Sequence, residues 1–313
     1  MKRSWRDNVS AWGLWEYAVV LAVLAAIGLT GGVTLKYLPT PLLVIEPKTI
    51  LQGDPVMFIV ATSTENIIDG KVTARSSKNS ATLHFFPFHN GTAALYAIDL
   101  NQATGTAIVQ IDFKNGLTIS KNFNITARLK PHENLAIPAQ LGGNSIANQH
   151  RVVSVLASDN YQLSLAKSNT KQILASSTFN FPIPRDSKGQ VHITDSYGYV
   201  RESGAAEITH RGIDFHAATG TPVLSIHDGI VRQATYYEVY GNTVVVDHGS
   251  GILSMYMHLN DIGVHVGQEV RQGQLLGHSG ETGYSEGPHL HLSIRVDGIS
   301  IDPAVFFKLF NVK

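Results

Sequence analysis

Cysteine is absent from the 313 residues of this chain. That excludes disulfides, thiolate zinc sites, iron–sulfur clusters and a cysteine nucleophile, so any bound metal has to be held by histidine and carboxylate. An excess of either charge is missing too, since 24 Lys and Arg balance 24 Asp and Glu. Phosphate backbones call for a basic surface, and no nucleic-acid partner is expected. What the chain does carry is 43% hydrophobic residues, enough for two domains of ordinary size, and 14 histidines, ten of them after residue 190.

Near the amino terminus an uncharged run of 19 residues, YAVVLAVLAAIGLTGGVTL, lies between Glu16 and Lys36. At about 1.5 Å per residue a helix of this length spans roughly the 30 Å of a bilayer core. Lys2, Arg3 and Arg6 precede it, which places the amino terminus in the cytoplasm and the remainder outside. A cleaved signal peptide, and so secretion, is the competing reading. The missing A-x-A site and the flanking Trp12, Trp15 and Tyr17 favour an uncleaved single-pass anchor over residues 1–36.

Residues 41–127 read as short strands rich in β-branched and aromatic residues, separated by the turns QGDP, HNGT and KNG, and suggest a small antiparallel sandwich. It carries no chemistry in its sequence and serves as a spacer or a wall-binding module. His84 and His89 within it are isolated. Residues 129–184 form a connector, in which Ile146, Val153, Leu156 and Leu163 recur at near-helical intervals and predict one amphipathic helix between Asn144 and Ser168. Pro182 and Pro184 then mark entry to a last domain, 185–313. The chain is mildly basic before this point and mildly acidic after it.

The last domain is again β in pattern, with turns at DHGSGI and at VDGIS, where Asp297-Gly298 forms the corner. In HRGID the alternation of a strand puts His210, Gly212 and Asp214 on one face, with Gly212 leaving a gap over which a cation could sit. A His-x-x-x-Asp spacing suits a metal pair and equally a hydrogen-bonded structural pair. In GPHLHLSI, His289 and His291 share a face while Leu290, Leu292 and Ile294 turn to the core. In SMYMHL, alternation predicts that Tyr256 and His258 share a face. A catalytic zinc takes three protein ligands with a fourth position open, plus an acid/base group within reach, and these three segments together supply one histidine more than ligation needs.

In order and with few gaps, HRGIDFHAATGTPVLSIHDGIV, YGNTVVVDHGSGILSMYMHL, VGQEVRQGQLLGHSGETGYSEGPHLHLSIRVDG and IDP resemble the lysostaphin-like (LytM-type) zinc peptidases, which cut peptidoglycan peptides. The likeness runs over about residues 190–305. It implies a compact antiparallel β domain with a loop-lined groove, one zinc per chain held by His210, Asp214 and His291, and catalytic roles for His289 and His258. One departure is Tyr197-Gly198, where the family's pattern has Phe-Gly. The Gly-rich VGQEVRQGQLLGHSG also looks like a biotinyl-carrier hairpin, but no lysine sits at its tip.

The expected chain is therefore mainly β: transmembrane helix, β-sandwich, connector with one helix, and a lysostaphin-like domain. The expected function is a zinc-dependent endopeptidase acting on peptidoglycan cross-links or stem peptides outside the cytoplasmic membrane. The alternative is a zinc-bearing, non-catalytic wall-binding module or an activator of another wall hydrolase. His216, His227, His248, His265 and His278 have no partner at ligand spacing, Asn242 is read as a loop-fixing residue, and Asp247 or Asp302 as carboxylate supports of the ligand imidazoles.

Overall fold

Two β bodies meet along a shared apolar cluster, and the first also has a separate core of its own. The computed structural model describes residues 41–74, 80–134, 137, 142–168, 178–203 and 206–310. The apolar run before Lys36 lies outside them, and among the described residues no helix is long and apolar enough to cross a membrane.

The first body is a sandwich of a four-stranded and a five-stranded sheet. Alternation decides its interior. In the strand Gly105–Phe113, Ala107, Val109, Ile111 and Phe113 point inward, against Val56, Phe58 and Val60 of the opposite sheet. Phe58 and Phe123 bring their rings to 5.6 Å across this core. Each such fully buried side chain contributes about 1.5–3 kcal/mol.

The second body is a ten-stranded sheet. Its central path runs through Ile213–His216, His289–Val296, Ile252–Ile262, Gly241–Gly249 and Gly229–Tyr237, all antiparallel. Two of its corners need left-handed backbone. Ser250 (φ 49°) and Gly251 (φ 83°) close one hairpin, and Asp297 (φ 50°) and Gly298 (φ 83°) the other, the positive-φ pair that a two-residue hairpin of matching twist requires.

Three features depart from the sequence reading. A second helix, Pro303–Phe310, follows the sheet. Its signal is present in IDP: Asp302 caps it by accepting from the Ala304 N–H at 2.9 Å, and Pro303 sits where no intrahelical donor is needed. This helix packs Phe310 against Phe86 and Phe88 of the sandwich and against Phe179, joining the two bodies. The connector also contains a strand, His132–Asn134, paired in parallel with Val200–Ser203.

The third departure concerns the helix Ile146–Ser164, whose amino terminus is capped by the Ser145 side chain. It buries Gln149, Val152, Asp159 and Leu163, while Ile146 and Val153, expected on its apolar side, are exposed. The buried Asp159 explains the rotation, because its carboxylate accepts from the Val239 N–H at 2.8 Å and ties the helix to the sheet by a polar contact that hydrophobic spacing does not report.

Candidate metal centre

Register brings the first ligand pair together. Asp214 lies opposite His291 on the paired strands Ile213–His216 and His289–Val296, and His210 enters from the segment just ahead. Asp214 Oδ1 is 3.1 Å from His210 Nε2 and 2.8 Å from His291 Nδ1, and the two ring nitrogens are 3.0 Å apart. All three side chains are buried. Gly212 permits the approach, since a Cβ there would lie 2.4 Å from His291 Nε2 and 2.5 Å from the Leu292 carbonyl oxygen.

The tautomers are fixed from behind. His210 Nδ1 is 2.8 Å from the Ser196 carbonyl, which can only accept, so this nitrogen carries the hydrogen and Nε2 turns its lone pair to Asp214 and His291. Burial opposes charge on His210, but the adjacent Asp214 carboxylate outweighs it and raises the imidazole pKa. Burial would likewise raise Asp214, and the two imidazoles reverse the sign, holding it well below the usual carboxylate range. Two nitrogens and one carboxylate oxygen converging in a buried space form a donor set that one divalent cation satisfies.

Two more imidazoles face this centre. His258 and His289 have ring centroids 4.7 Å apart, and His289 Nε2 is 3.8 Å from Asp214 Oδ1. Each donates its Nδ1 hydrogen to a backbone carbonyl, His258 to Thr282 at 2.8 Å and His289 to Gly287 at 2.8 Å, which leaves both Nε2 atoms without a hydrogen when the rings are neutral. Burial, reinforced by the neighbouring His289 and His291, pushes the pKa of His258 down to about 3.

The position of His258 corrects the strand alternation. Its φ is 60°, and the register with the neighbouring strand slips between Asn242 and Val244, so an extra residue is accommodated here. Tyr256 and Leu259 consequently enter the core, while Met257 and His258 both line the groove. Asn242 holds the distortion by donating to the Leu259 and Asn260 carbonyls, both at 3.1 Å. The two carboxylates expected to support the ligands do not. Asp247 binds Arg232 and Ser168, and Asp302 pairs with Arg128 at 3.0 Å. A backbone carbonyl takes that place at His210.

The centre opens into a groove of about 500 Å³. Its sheet side carries the histidines, Ser293, Arg295 and Arg211, and Val152, Leu156 and Asn160 of the helix Ile146–Ser164 form part of the opposite wall. Arg151 pins that helix to Glu238 and, at 3.0 Å, to the Tyr284 hydroxyl. His216 also lines the groove. Carbonyl partners leave no trace in a sequence. Arg295 does leave one, because it continues the alternating face of His289, His291 and Ser293.

Residues 208–303 match Peptidase family M23. The peptidoglycan DD-endopeptidase ShyC of Vibrio cholerae is 40% identical over 94 residues, 30% of this chain and 22% of that protein. The chain spans less than a third of the length of the curated relatives it matches. A crystal structure from Pseudomonas aeruginosa described as a peptidase M23 covers 83% of this chain and 96% of its own, with 20% identity and a TM-score of 0.56, a likeness of fold. The catalytic domain of lysostaphin from Staphylococcus simulans is 33% identical, covering 38% of this chain and 92% of its own, with a TM-score of 0.35.

Proposed function

From the premise that the chain carries a peptidase family M23 domain, we propose that it is a zinc-dependent endopeptidase cutting peptide bonds in peptidoglycan cross-links or stem peptides. The observation that carries this reading is the pairing of a three-donor centre with two further imidazoles packed beside it, each with Nδ1 bound to a carbonyl and Nε2 left without a hydrogen. A purely structural metal site closes its coordination and needs no such groups.

His210 Nε2, Asp214 Oδ1 and His291 Nδ1 would hold the zinc. When bound, the ion supplies Lewis acidity, which polarises a peptide carbonyl and acidifies water towards neutral pH. The chain's own residues do the rest. His289, with one nitrogen anchored and the other free, would accept a proton from the attacking water and return one to the leaving amine, while His258, kept neutral by burial, would accept a hydrogen bond that orients that water. The helix wall and the sheet floor exclude water from a peptide laid along the groove. We also assign residues 1–36 as a membrane anchor that holds the described domains outside the cytoplasmic membrane, with the sandwich between anchor and catalytic domain.

The purified full chain is expected to contain about one zinc and to release soluble muropeptides from isolated peptidoglycan. His289→Ala is expected to keep the zinc and lose the release. Zinc-loaded wild-type protein that leaves both walls and cross-linked muropeptides intact would instead favour the non-catalytic wall-binding reading.

A further inference from the structure

Arg295 lies in the groove beside Tyr240 and Arg211, and among the described residues no ion pair is formed by its guanidinium. It shares the alternating face of the strand His289–Val296 with His289, His291 and Ser293, and among the described residues no carboxylate or hydrogen-bond acceptor engages its guanidinium. Arginine stays charged, and leaving a half-buried cation unpaired is costly. Burial pushes the Arg295 pKa down; the nearby Tyr240 opposes this and the neighbouring Arg211 adds to it, so the charge sits in a largely desolvated place. The surrounding acids are committed elsewhere or sit at the rim. Asp195 is paired with Arg201 at 3.1 Å, Asp214 belongs to the metal centre, Asp159 accepts from Val239, and Glu207 and Glu286 are exposed. Arg211 lines the same groove, with its backbone fixed by the Ser293 and Ser300 hydroxyls, which donate to its carbonyl at 2.7 and 2.8 Å, and its guanidinium is 3.8 Å from the half-exposed Asp99 carboxylate, a loose pair that makes it the secondary cation.

We propose that Arg295, assisted by Arg211, is a specificity-determining subsite for a free carboxylate of the peptide substrate. Arg295 is four positions beyond His291, about 13 Å along a strand at about 3.3 Å per residue. An extended peptide whose scissile bond lies at the metal centre therefore places the carboxylate three or four residues further along the groove. The planar fork of arginine matches a carboxylate bidentately and distinguishes it from an amide, which is neutral and has only one acceptor oxygen. The carboxylate is either the carboxy terminus of the peptide or an acidic side chain. This inference takes its peptide substrate from the endopeptidase reading, but the subsite is measurable by binding alone.

The test uses the full chain bearing His289→Ala, so that peptide is bound without being cut, and three versions of one cross-linked peptide dimer: carboxylates free, carboxy termini amidated, and side-chain carboxyls amidated. Calorimetry is expected to show about 10- to 100-fold tighter binding of the free form than of one amidated form, and which amide loses affinity identifies the source of the carboxylate. Adding Arg295→Gln should abolish the preference while leaving affinity for the weaker amide within about twofold, and Arg211→Gln should reduce it less. Equal binding of all three dimers, or a preference that survives Arg295→Gln, overturns the proposal. Should Arg295→Gln fail to fold, Arg295→Lys decides, since it keeps the charge, loses the fork and is expected to retain only part of the preference. Hydrolysis by the wild-type chain is measured in parallel. A carboxylate preference in binding without cleavage of any dimer overturns the endopeptidase reading and leaves the subsite standing.

Discussion

The β-sheet domain contains two buried histidine clusters that look alike in composition and differ in what their nitrogens face. In one, His248 Nδ1 donates to the Asp228 carbonyl at 2.8 Å, and its Nε2 meets Ser254 Oγ at 2.7 Å. Ser254 in turn reaches the Tyr256 hydroxyl, which accepts from the Ile226 N–H at 2.9 Å, while His227 stacks beside Phe179. Every polar atom in that chain has a protein partner of its own. In the other cluster, His210 Nε2 and His291 Nδ1 point at the same Asp214 oxygen and at each other. Burial by itself says nothing about function here. Convergence of acceptors on one point separates a place for a cation from a satisfied polar core.

The comparison breaks most sharply at the ligands. His291→Ala and Asp214→Asn are expected to abolish zinc binding, measured by metal content after dialysis, and with it all hydrolysis, whereas His248→Ala should leave metal content unchanged. Retention of a full zinc complement by both ligand variants would place the metal elsewhere. Next in size, His258→Ala and His289→Ala are expected to lower kcat by about 10²- to 10⁴-fold with zinc retained. A loss of less than tenfold in steady-state kinetics for both would remove these imidazoles from the handling of the attacking water.

The satisfied cluster should report through stability instead. Burial pushes His248 down to about 4, below the 6.5 of an ordinary imidazole. The unfolded chain thus takes up a proton between pH 6.5 and 4 that the folded one refuses. Stability attributable to neutral His248 is complete above about pH 6.5 and falls as the pH drops, by roughly 3 kcal/mol at about pH 4. Urea midpoints across this range should show the slope, and His248→Gln should flatten it; an unchanged slope in the variant sinks the assignment. The smallest effect is expected for Ser254→Ala, which strips the partner from His248 Nε2 and should cost about 1–3 kcal/mol in urea unfolding with no change in kcat. A drop in kcat there would mean that the two clusters are coupled.

Much of the metal centre is legible in residue order because strand alternation is a local rule. His289 and His291 lie two apart on one strand, so their common face follows from the pleat, and His210 with Asp214 flank a glycine that leaves room between them. The same rule misplaces Tyr256 relative to His258, because the left-handed residue at 258 inserts a bulge that depends on Asn242 from the neighbouring strand. Helical spacing similarly finds the helix Ile146–Ser164 but not the side it buries, since Asp159 is fixed by a backbone N–H some 80 residues away.

The sequence by itself determined the chemical type of the centre: without cysteine, and with histidines at strand spacing, a metal could be held only by imidazole and carboxylate. It also determined the hairpin corners, Ser250-Gly251 and Asp297-Gly298, where a glycine supplies the second of two residues at positive φ. Only the tertiary structure decided which nitrogen of each imidazole is free, through the Ser196, Thr282 and Gly287 carbonyls, and only it set Arg295 beside Arg211 in a groove walled by the helix. The physical reason is that side-chain direction along one strand is fixed by the backbone within a few residues, whereas a hydrogen-bond partner or a wall comes from wherever the fold brings another segment close.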